Sequence, residues 1–406
     1  MTKLQQVIIG INQLSLGLLL PVLNLILLEK GASLQTLPLL FVVYAVTVMC
    51  FEMPSGICAD LYGRRTIFLL SCGFQLISFL LMLIGSTTIE LVFAMICNGM
   101  GRAFSSGSLD ALIIDQAIER EGEEALSKVT SRLAVLDGVG LGLGSIIGGI
   151  LAAVSGTYLI NLVLRVVFTV IIVSLTLMHI KELPVSQVKE QKRSLLAHIK
   201  EGGQLVWAAP GLCLILGGVF FLGFFLSTIE TYWQPAFMSV TTFPNSSWIL
   251  GFIACAGFFT VTLGNIISQK ILVKFKKRWW RIYSISRMFF AVCIMLFAVQ
   301  KNSVSFIFGY MGIYLFMGIS NVTESTIINQ LVPNHLRASL LSFNSFILQI
   351  GVMCAGVFSS LMIGYLDFKG IWLTAGVLLI LYAIIVIVTT FEKRNETSKD
   401  IKQSEI

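Results

Sequence analysis

Apolar segments recur from one end of the sequence to the other, and short polar segments separate them. Each apolar segment is long enough to cross a hydrocarbon core of about 30 Å as an α-helix. The first segment has only Lys3 ahead of it and no small-residue cleavage site, so we interpret it as a retained helix. The pattern predicts an all-α membrane protein with twelve spanning helices, at residues 4–28, 35–58, 66–86, 89–112, 131–155, 158–180, 208–232, 246–270, 281–300, 303–327, 339–364 and 369–391.

The charged residues fix the expected orientation of these helices. Charged residues make up 12% of the chain, about half the fraction of a soluble domain. If the N-terminus is cytoplasmic, 22 of the 28 Lys and Arg residues fall on the cytoplasmic side and three fall outside, at Lys30, Lys301 and Lys369. This asymmetry predicts that both termini are cytoplasmic. The net charge of +7 then reflects basic cytoplasmic loops, and we expect a lipid bilayer rather than nucleic acid as the partner.

The longest polar segment lies almost at the midpoint of the chain and separates six predicted helices from six. We predict a first bundle at residues 1–180, a cytoplasmic linker at 181–206, a second bundle at 207–391 and a cytoplasmic tail at 392–406. Two pseudo-symmetric six-helix halves are typical of secondary transporters, which bind substrate near the middle of the membrane. The sequence has no GxxxxGK[ST] motif for ATP, so we expect an ion gradient as the energy source.

The cysteines and histidines point to neither a metal site nor an enzyme. All eight cysteines lie in apolar segments and none forms a CxxC pair, while the three histidines fall in or beside predicted cytoplasmic loops. No His, Cys or Ser constellation has catalytic spacing. We therefore predict no cofactor, no metal and no catalytic residues.

The loop after the second predicted helix contains GICADLYGRR, residues 56–65, which has the pattern GxxxDxxGR[RK]. Gly56 allows close helix packing, Gly63 permits a tight turn, and an arginine can bind a carboxylate. In pattern and position the loop resembles the major facilitator superfamily. The resemblance implies the major facilitator fold, with Asp60 in a gating latch and Arg64 or Arg65 paired with Asp110 or Asp115. The alternative is that both arginines only follow the positive-inside rule.

A second motif lies in the fifth predicted helix, where GLGLGSIIGG spans residues 140–149. It resembles the glycine pattern of the antiporter branch of that family, although Ser145 replaces a proline. Small residues four apart also promote helix packing in any membrane protein, and that interpretation stays open. The four glycines at the motif positions are Gly140, Gly144, Gly148 and Gly149.

Ionisable residues inside the apolar segments are candidates for proton coupling, because each costs several kcal/mol unless it is paired, hydrated or protonated. Arg102 lies one turn after Asn98 and resembles a family arginine thought to assist proton transfer, with a structural pair to Asp110 as the alternative. For Glu324, a structural pair with Arg287 is the alternative. The candidate set for proton coupling is Glu52, Arg102, Asp137, Glu230 and Glu324.

Candidate substrate contacts lie in the first, fourth and seventh predicted helices. Aromatic side chains beside a carboxylate suit a cationic or flat polycyclic ligand, although an interfacial aromatic belt has the same composition. Two amides on the first helix are eleven residues apart, which places them on one face of a continuous helix. The predicted cavity residues are Gln13, Asn24, Asn98, Glu230, Tyr232, Trp233 and Gln234.

An acid and a proline just before the loop extend its motif to ExPxxxxxDxxxR[RK], formed by Glu52, Pro54, Asp60, Arg64 and Arg65. This longer pattern resembles clostridial-type tetracycline efflux proteins. The resemblance implies a monomeric proton-coupled antiporter in a bacterial cell membrane that exports an antibiotic, with tetracycline as the first candidate. A multidrug exporter and a proton-coupled uptake symporter of the same fold are the alternatives.

Overall fold

A computed structural model describes residues 1–182, 210–243, 245–275, 278–332 and 337–404. The predicted linker at 181–206 lies outside these ranges except for Lys181 and Glu182. The described residues are helical apart from short connections. The helices are α1 Lys3–Gly17, α2 Leu23–Glu29, α3 Leu37–Tyr62, α4 Arg64–Ile84, α5 Thr88–Ser105, α6 Leu109–Glu121, α7 Ala125–Ser155, α8 Leu159–His179, α9 Pro210–Val240, α10 Ser247–Lys274, α11 Trp279–Ala298, α12 Ser303–Leu331 and α13 Arg337–Ser404.

The length and hydropathy of the described helices confirm a multi-pass membrane protein. Eight of them are long and apolar enough to cross a bilayer, and α3 is a ninth if its two limbs form one span. Those limbs meet at 45° beside Pro54, whose missing N–H interrupts the helical hydrogen bonds. The long helix α13 covers the last two predicted spans, with Asp367 as its non-helical kink.

The first predicted span is interrupted, which corrects the expectation of one continuous helix at 4–28. Helix α1 ends at Gly17 and α2 starts at Leu23. Pro21 lies in the interruption, where it can donate no backbone hydrogen bond and its ring crowds the preceding turn. Gln13 and Asn24 consequently lie on different helices, and the expectation that they share one face is wrong.

The fourth predicted span, at 89–112, is also divided. Helix α5 ends at Ser105 and α6 starts at Leu109, with Gly107 between them at a φ of +69°. Such a positive φ favours glycine and ends the helix. Asp110 is therefore in the first turn of a separate helix, next to a backbone break.

The chain forms two compact units. The first comprises Met1–Lys192, Glu230–Ala256 and Gly356–Gly364, and the second comprises Arg193–Ile229, Gly257–Ala355 and Tyr365–Ile406. The first unit thus includes pieces of three helices that the sequence assigned to the second bundle. The predicted boundaries of the two bundles stay a prediction.

Close backbone contacts hold the first unit together around α7. A Cβ added at Gly144 would overlap the backbone of α1 at Leu14, and one at Gly148 would overlap the backbone of Leu18, which directly follows α1. On another face of α7, a Cβ at Gly149 would lie 2.8 Å from the backbone nitrogen of Gly251 in α10. The glycine motif therefore serves helix packing in this structure, as small residues do in membrane proteins generally.

Large aromatic side chains fill the second unit. Phe225, Phe290, Phe297 and Trp372 are each at most 2% exposed. The Trp372 indole nitrogen donates a hydrogen bond of 3.1 Å to the Thr228 carbonyl, so this buried ring has a polar partner.

Candidate functional site

Five helices of the first unit, α1, α3, α5, α6 and α7, bring two acids, an arginine, an amide and a tyrosine together near the predicted cytoplasmic side. The Gln13 side-chain amide of α1 donates a hydrogen bond of 2.5 Å to the Asp137 carboxylate of α7. The Asp110 carboxyl, at the start of α6, is within electrostatic range of both Asp137 and Arg102. Arg102 of α5 also interacts with the Tyr44 hydroxyl. We call Gln13, Tyr44, Arg102, Asp110 and Asp137 the inner polar cluster.

The inner polar cluster carries two carboxyl groups and one guanidinium. Both Asp110 and Arg102 are exposed, while Asp137 is half-buried. Neither acid forms a salt bridge with another described residue. A carboxylate at membrane depth without a counter-ion must be hydrated or protonated. Asn98, predicted to act nearby, is half-buried one turn before Arg102.

The predicted pair between an arginine of the loop and an acid is formed by Arg64 and Asp115, at 2.8 Å. Arg65 instead donates to the Leu177 carbonyl oxygen at 2.7 Å, and Asp110 takes no part in this pair. Gly63 has a φ of +92°, which supports the predicted turn between α3 and α4. The ion pair is thus confirmed, and its role as a latch stays a prediction.

The other latch residues lie in the last turns of α3. Glu52, Pro54, Gly56 and Asp60 are all exposed. The Glu52 and Asp60 side chains have no hydrogen bond or ion pair with the residues that the structure describes. Both carboxylates are therefore available to another partner.

Sequence reasoning missed a contact of the same loop. The Glu182 carboxylate accepts hydrogen bonds from the backbone N–H groups of Arg65, at 2.9 Å, and Thr66, at 3.2 Å. The N–H groups in the first turn of α4 have no acceptor within the helix, and the helix dipole there also favours negative charge. Glu182 thus holds the start of the linker against the loop, and a glutamate after a helix gives no sequence signal for such a distant cap.

The predicted counter-ion of Glu324 is confirmed in the second unit. Arg287 of α11 donates to the Glu324 carboxylate of α12, and the two residues are 0% and 6% exposed. The Arg287 guanidinium also lies 5.1 Å from the centroid of the Tyr283 ring. The Tyr283 hydroxyl is 2.8 Å from that of Tyr382. Glu324 thus forms a buried ion pair with Arg287, whereas the two acids of the inner polar cluster form no salt bridge with a described residue.

Asn24 donates one backbone hydrogen bond to Gln234, and both side-chain amides donate to backbone carbonyls, near the predicted outer side of the first unit. The Asn24 amide donates to the carbonyl oxygens of Glu230, at 2.6 Å, and Thr231, at 3.0 Å. Gln234 accepts from the Asn24 backbone at 3.1 Å and donates to the Leu20 carbonyl at 2.6 Å. We call Asn24 and Gln234 the outer amide pair.

The remaining predicted cavity residues lie next to the outer amide pair. Tyr232 and Trp233 are 0% and 1% exposed, and the Tyr232 hydroxyl donates to the Leu34 carbonyl at 3.0 Å. Only Glu230 has an exposed side chain in this group. A role in substrate binding stays a prediction, and for the buried residues it requires this contact to open.

Arg165 is a second residue to which the sequence analysis assigned no role. Its guanidinium is 1% exposed, donates to Ser15 and to Gln75, and lies 5.0 Å from the Phe79 ring centroid. No described acid pairs with it. An arginine inside a predicted span was visible in the sequence, but its neutral partners were not.

Among the described residues, no group of three His, Cys, Asp or Glu side chains could hold a metal ion.

A comparison with protein families decides the identity of the fold. The model described as Major Facilitator Superfamily matches residues 7–350 and 290–405. The chain belongs to the major facilitator superfamily. The predicted fold is therefore confirmed, and the chain is a secondary transporter that works by alternating access. The superfamily is not enzymatic, which confirms the prediction that the chain is no enzyme.

Relatives of this superfamily member support the same fold, but they do not identify the substrate of this chain. The chain is 23% identical over 406 residues to "Uncharacterized MFS-type transporter YxaM" of Bacillus subtilis (strain 168), covering 98% of each. The crystal structure of nucleoside transporter NupG matches with a TM-score of 0.80 at 14% identity, covering 95% of this chain and 99% of that one. A POT family transporter in complex with 5-aminolevulinic acid matches with a TM-score of 0.72 at 12% identity, covering 95% of each.

Proposed function

We propose that this transporter is a proton-coupled antiporter that exports a lipophilic drug from the bacterial cytoplasm. The observation that carries the proposal is the charge balance of the inner polar cluster. Asp110 lies within electrostatic range of Asp137 and of one guanidinium, Arg102, while Asp137 has the neutral Gln13 amide as its hydrogen-bond partner, so one carboxyl can exist in either protonation state. The buried Glu324 is a weaker candidate for the moving proton, because Arg287 already neutralises it.

Proton exchange at such a cluster can drive export. A proton entering the cell releases about 2.3 kcal/mol per 100 mV of membrane potential, and about 1.4 kcal/mol per pH unit. If protonation of Asp137 weakens the binding of a cationic or polar substrate group, the inward proton and the outward substrate compete for one site. Their exchange is then obligatory.

We infer that the exposed acids of α3 complete a cytoplasmic gate. Asp60 and Glu52 are free to bind a partner in a second conformation, while Arg64 keeps Asp115 paired. In alternating access, the two conformations must each be stabilised by contacts that the other lacks. The outer amide pair is the corresponding candidate at the other side, and Glu230 beside it is a candidate contact for a cationic drug.

Tetracycline is the narrowest substrate that we propose, and it rests on the extended motif of Glu52, Pro54, Asp60, Arg64 and Arg65. The relative from Bacillus subtilis supports a bacterial cell membrane, and the basic loops support cytoplasmic termini. We propose that the monomer is the working form, as the family resemblance implies.

The proposal can be tested in a bacterium that lacks its own major drug exporters. Cells expressing the wild-type chain are expected to grow at a higher tetracycline concentration and to accumulate less ethidium than cells with an empty vector. An uncoupler should abolish both effects. Asp137→Asn should remove them as well, because an amide cannot exchange the proton.

The matched control is Glu119→Gln, which removes an exposed cytoplasmic acid outside the cluster and should behave as the wild type. Unchanged tolerance to tetracycline, ethidium and macrolides in wild-type cells would sink the export proposal. Higher accumulation in energised wild-type cells would instead favour the uptake symporter, for which a nucleoside is one probe because the fold matches that of NupG.

A further inference from the structure

An elongated groove lies on the second unit at the predicted cytoplasmic side. It has a volume of about 370 Å³ and is formed by the end of α10 and by α11 and α12. Its walls are apolar, and the rings of Phe289 and Phe316 stack there with centroids 5.2 Å apart. The two charged side chains that line it are Arg278 and Arg281, both exposed. We call this surface the inner groove.

The length of the inner groove matches one leaflet of a bilayer. Arg281 is in the first turn of α11, at the predicted cytoplasmic boundary. Phe289 follows it by eight residues, which is about 12 Å along a helix. One leaflet contributes about 15 Å of the hydrocarbon core. The groove therefore extends from the headgroup level to near the middle of the membrane.

The positive charge at the mouth of the inner groove has no partner within the described part of the chain. Neither Arg278 nor Arg281 forms an ion pair with a described acid. The sequence contains no Asp or Glu between Glu230 and Glu324, and Glu324 is already paired with Arg287. Residues 274–281 carry five Lys and Arg and no acid. The missing counter-charge must come from outside this segment.

We propose that the inner groove binds an anionic phospholipid of the cytoplasmic leaflet. Its phosphate and acidic headgroup pair with Arg278 and Arg281, since guanidinium groups bind phosphate oxygens in a bidentate manner. One acyl chain lies along Ile285 and Phe289. Basic pockets between spanning helices on the cytoplasmic side have the chemistry for such headgroups.

A second groove, on α11, α12 and the connection between them, provides an internal contrast. It has a volume of about 600 Å³, lies at the opposite end of α11 and α12, and is lined by residues such as Cys293, Gln300 and Asn302. No charged side chain lines it. Lipid acyl chains could bind equally well in both grooves. Only the inner groove has basic side chains that would select an anionic headgroup.

Native mass spectrometry of the purified full-length protein can test this site. The protein is titrated with phosphatidylglycerol or with phosphatidylcholine of the same acyl chains. We expect the wild type to retain phosphatidylglycerol preferentially. The double variant Arg278→Gln/Arg281→Gln should bind it about 30-fold more weakly, because each basic side chain near an anionic headgroup contributes about fivefold.

The matched control is Arg120→Gln/Arg132→Gln, which removes two other exposed arginines and the same net charge. It should keep the preference. Ile285→Trp fills the groove without removing charge and should also weaken phosphatidylglycerol binding. Equal retention of both lipids by the wild type, an unchanged preference in the first double variant, or displacement of phosphatidylglycerol by inorganic phosphate would each overturn the proposal.

Discussion

At the scale of single residues, two acids in the membrane-spanning region have different partners. Glu324 has the guanidinium of Arg287 as a buried partner, whereas Asp137 has the neutral amide of Gln13. Removing a single member of a buried ion pair leaves an uncompensated charge, which is far more costly than replacing both members. We therefore expect Glu324 to have mainly a structural role, and we propose Asp137 as the acid that changes its protonation state.

We predict that Glu324→Gln lowers the free energy of unfolding by about 3–5 kcal/mol, because Arg287 is left buried without a counter-charge. The apparent Tm in detergent, followed by tryptophan fluorescence, should fall by several degrees. Replacing both partners, as Arg287→Met/Glu324→Leu, should recover most of the loss. If Glu324→Gln and the wild type have the same apparent Tm, the ion pair does not stabilise the fold.

A smaller effect is expected at Glu182, whose carboxylate caps α4. Glu182→Ala should lower the free energy of unfolding by about 0.5–2 kcal/mol, since two backbone donors lose their acceptor. Glu182→Gln keeps an acceptor and should lose less. The matched control is Glu123→Ala at an exposed acid. Equal melting temperatures for Glu182→Ala and Glu123→Ala would contradict the cap.

The sequence allowed some of these residues to be predicted. Arg287 and Glu324 could be paired because both are charges inside neighbouring spans, and their mutual attraction is strong at low dielectric. Arg165 could not be placed, since its partners Ser15 and Gln75 are neutral and lie on helices far apart in the chain. The contact of Glu182 with the start of α4 depends on how a loop returns to a helix end, which periodicity does not encode.

At the scale of helices, the glycine motif of α7 makes a direct prediction. A Cβ at Gly144 would overlap the Leu14 carbonyl oxygen, whereas a Cβ at Gly138 would meet nothing within 4 Å. Gly144→Ala should therefore destabilise the protein by about 1–3 kcal/mol through forced separation of α1 and α7. Gly138→Ala should be neutral or stabilise by up to about 1 kcal/mol, because alanine is the better helix former.

Thermal melting and the yield of monodisperse protein distinguish these two variants. Both substitutions add one methyl group to the same helix, so a difference between them reports the contact with α1 alone. Similar melting temperatures for the two variants would mean that α1 and α7 can separate at no cost. The packing role assigned to Gly144 would then be wrong.

Helix ends were predicted less well than the positions of the apolar segments. Each predicted span overlaps a described helix, but hydrophobic length could not show that Pro21 and Gly107 divide two of them. Such interruptions are tolerated because neighbouring helices satisfy the freed backbone groups. At the first interruption, Gln234 donates to the Leu20 carbonyl. A sequence pattern cannot predict that compensation, because the partner lies over 200 residues away.

At the scale of the whole molecule, the long apolar segments were sufficient to predict an all-α membrane protein, and the resemblance carried by the loop at residues 56–65 supplied the major facilitator fold. Irregular backbone is costly in lipid, so the chain must form helices wherever it crosses the membrane. The family follows from the match over residues 7–350 and 290–405. The substrate did not follow, since substrate choice depends on the side chains of a site and is not fixed by the fold.

We propose that substrate leaves the cytoplasm in exchange for a proton at the inner polar cluster. Inside-out membrane vesicles that are energised by respiration test this most directly, with a fluorescent dye reporting the proton gradient. Adding tetracycline or ethidium should dissipate the gradient in wild-type vesicles, because protons leave the lumen as drug enters. Vesicles with Asp137→Asn should show no response, and those with Glu119→Gln should respond as the wild type. A gradient that every added drug leaves unchanged in wild-type vesicles, or a full response with Asp137→Asn, would contradict the account.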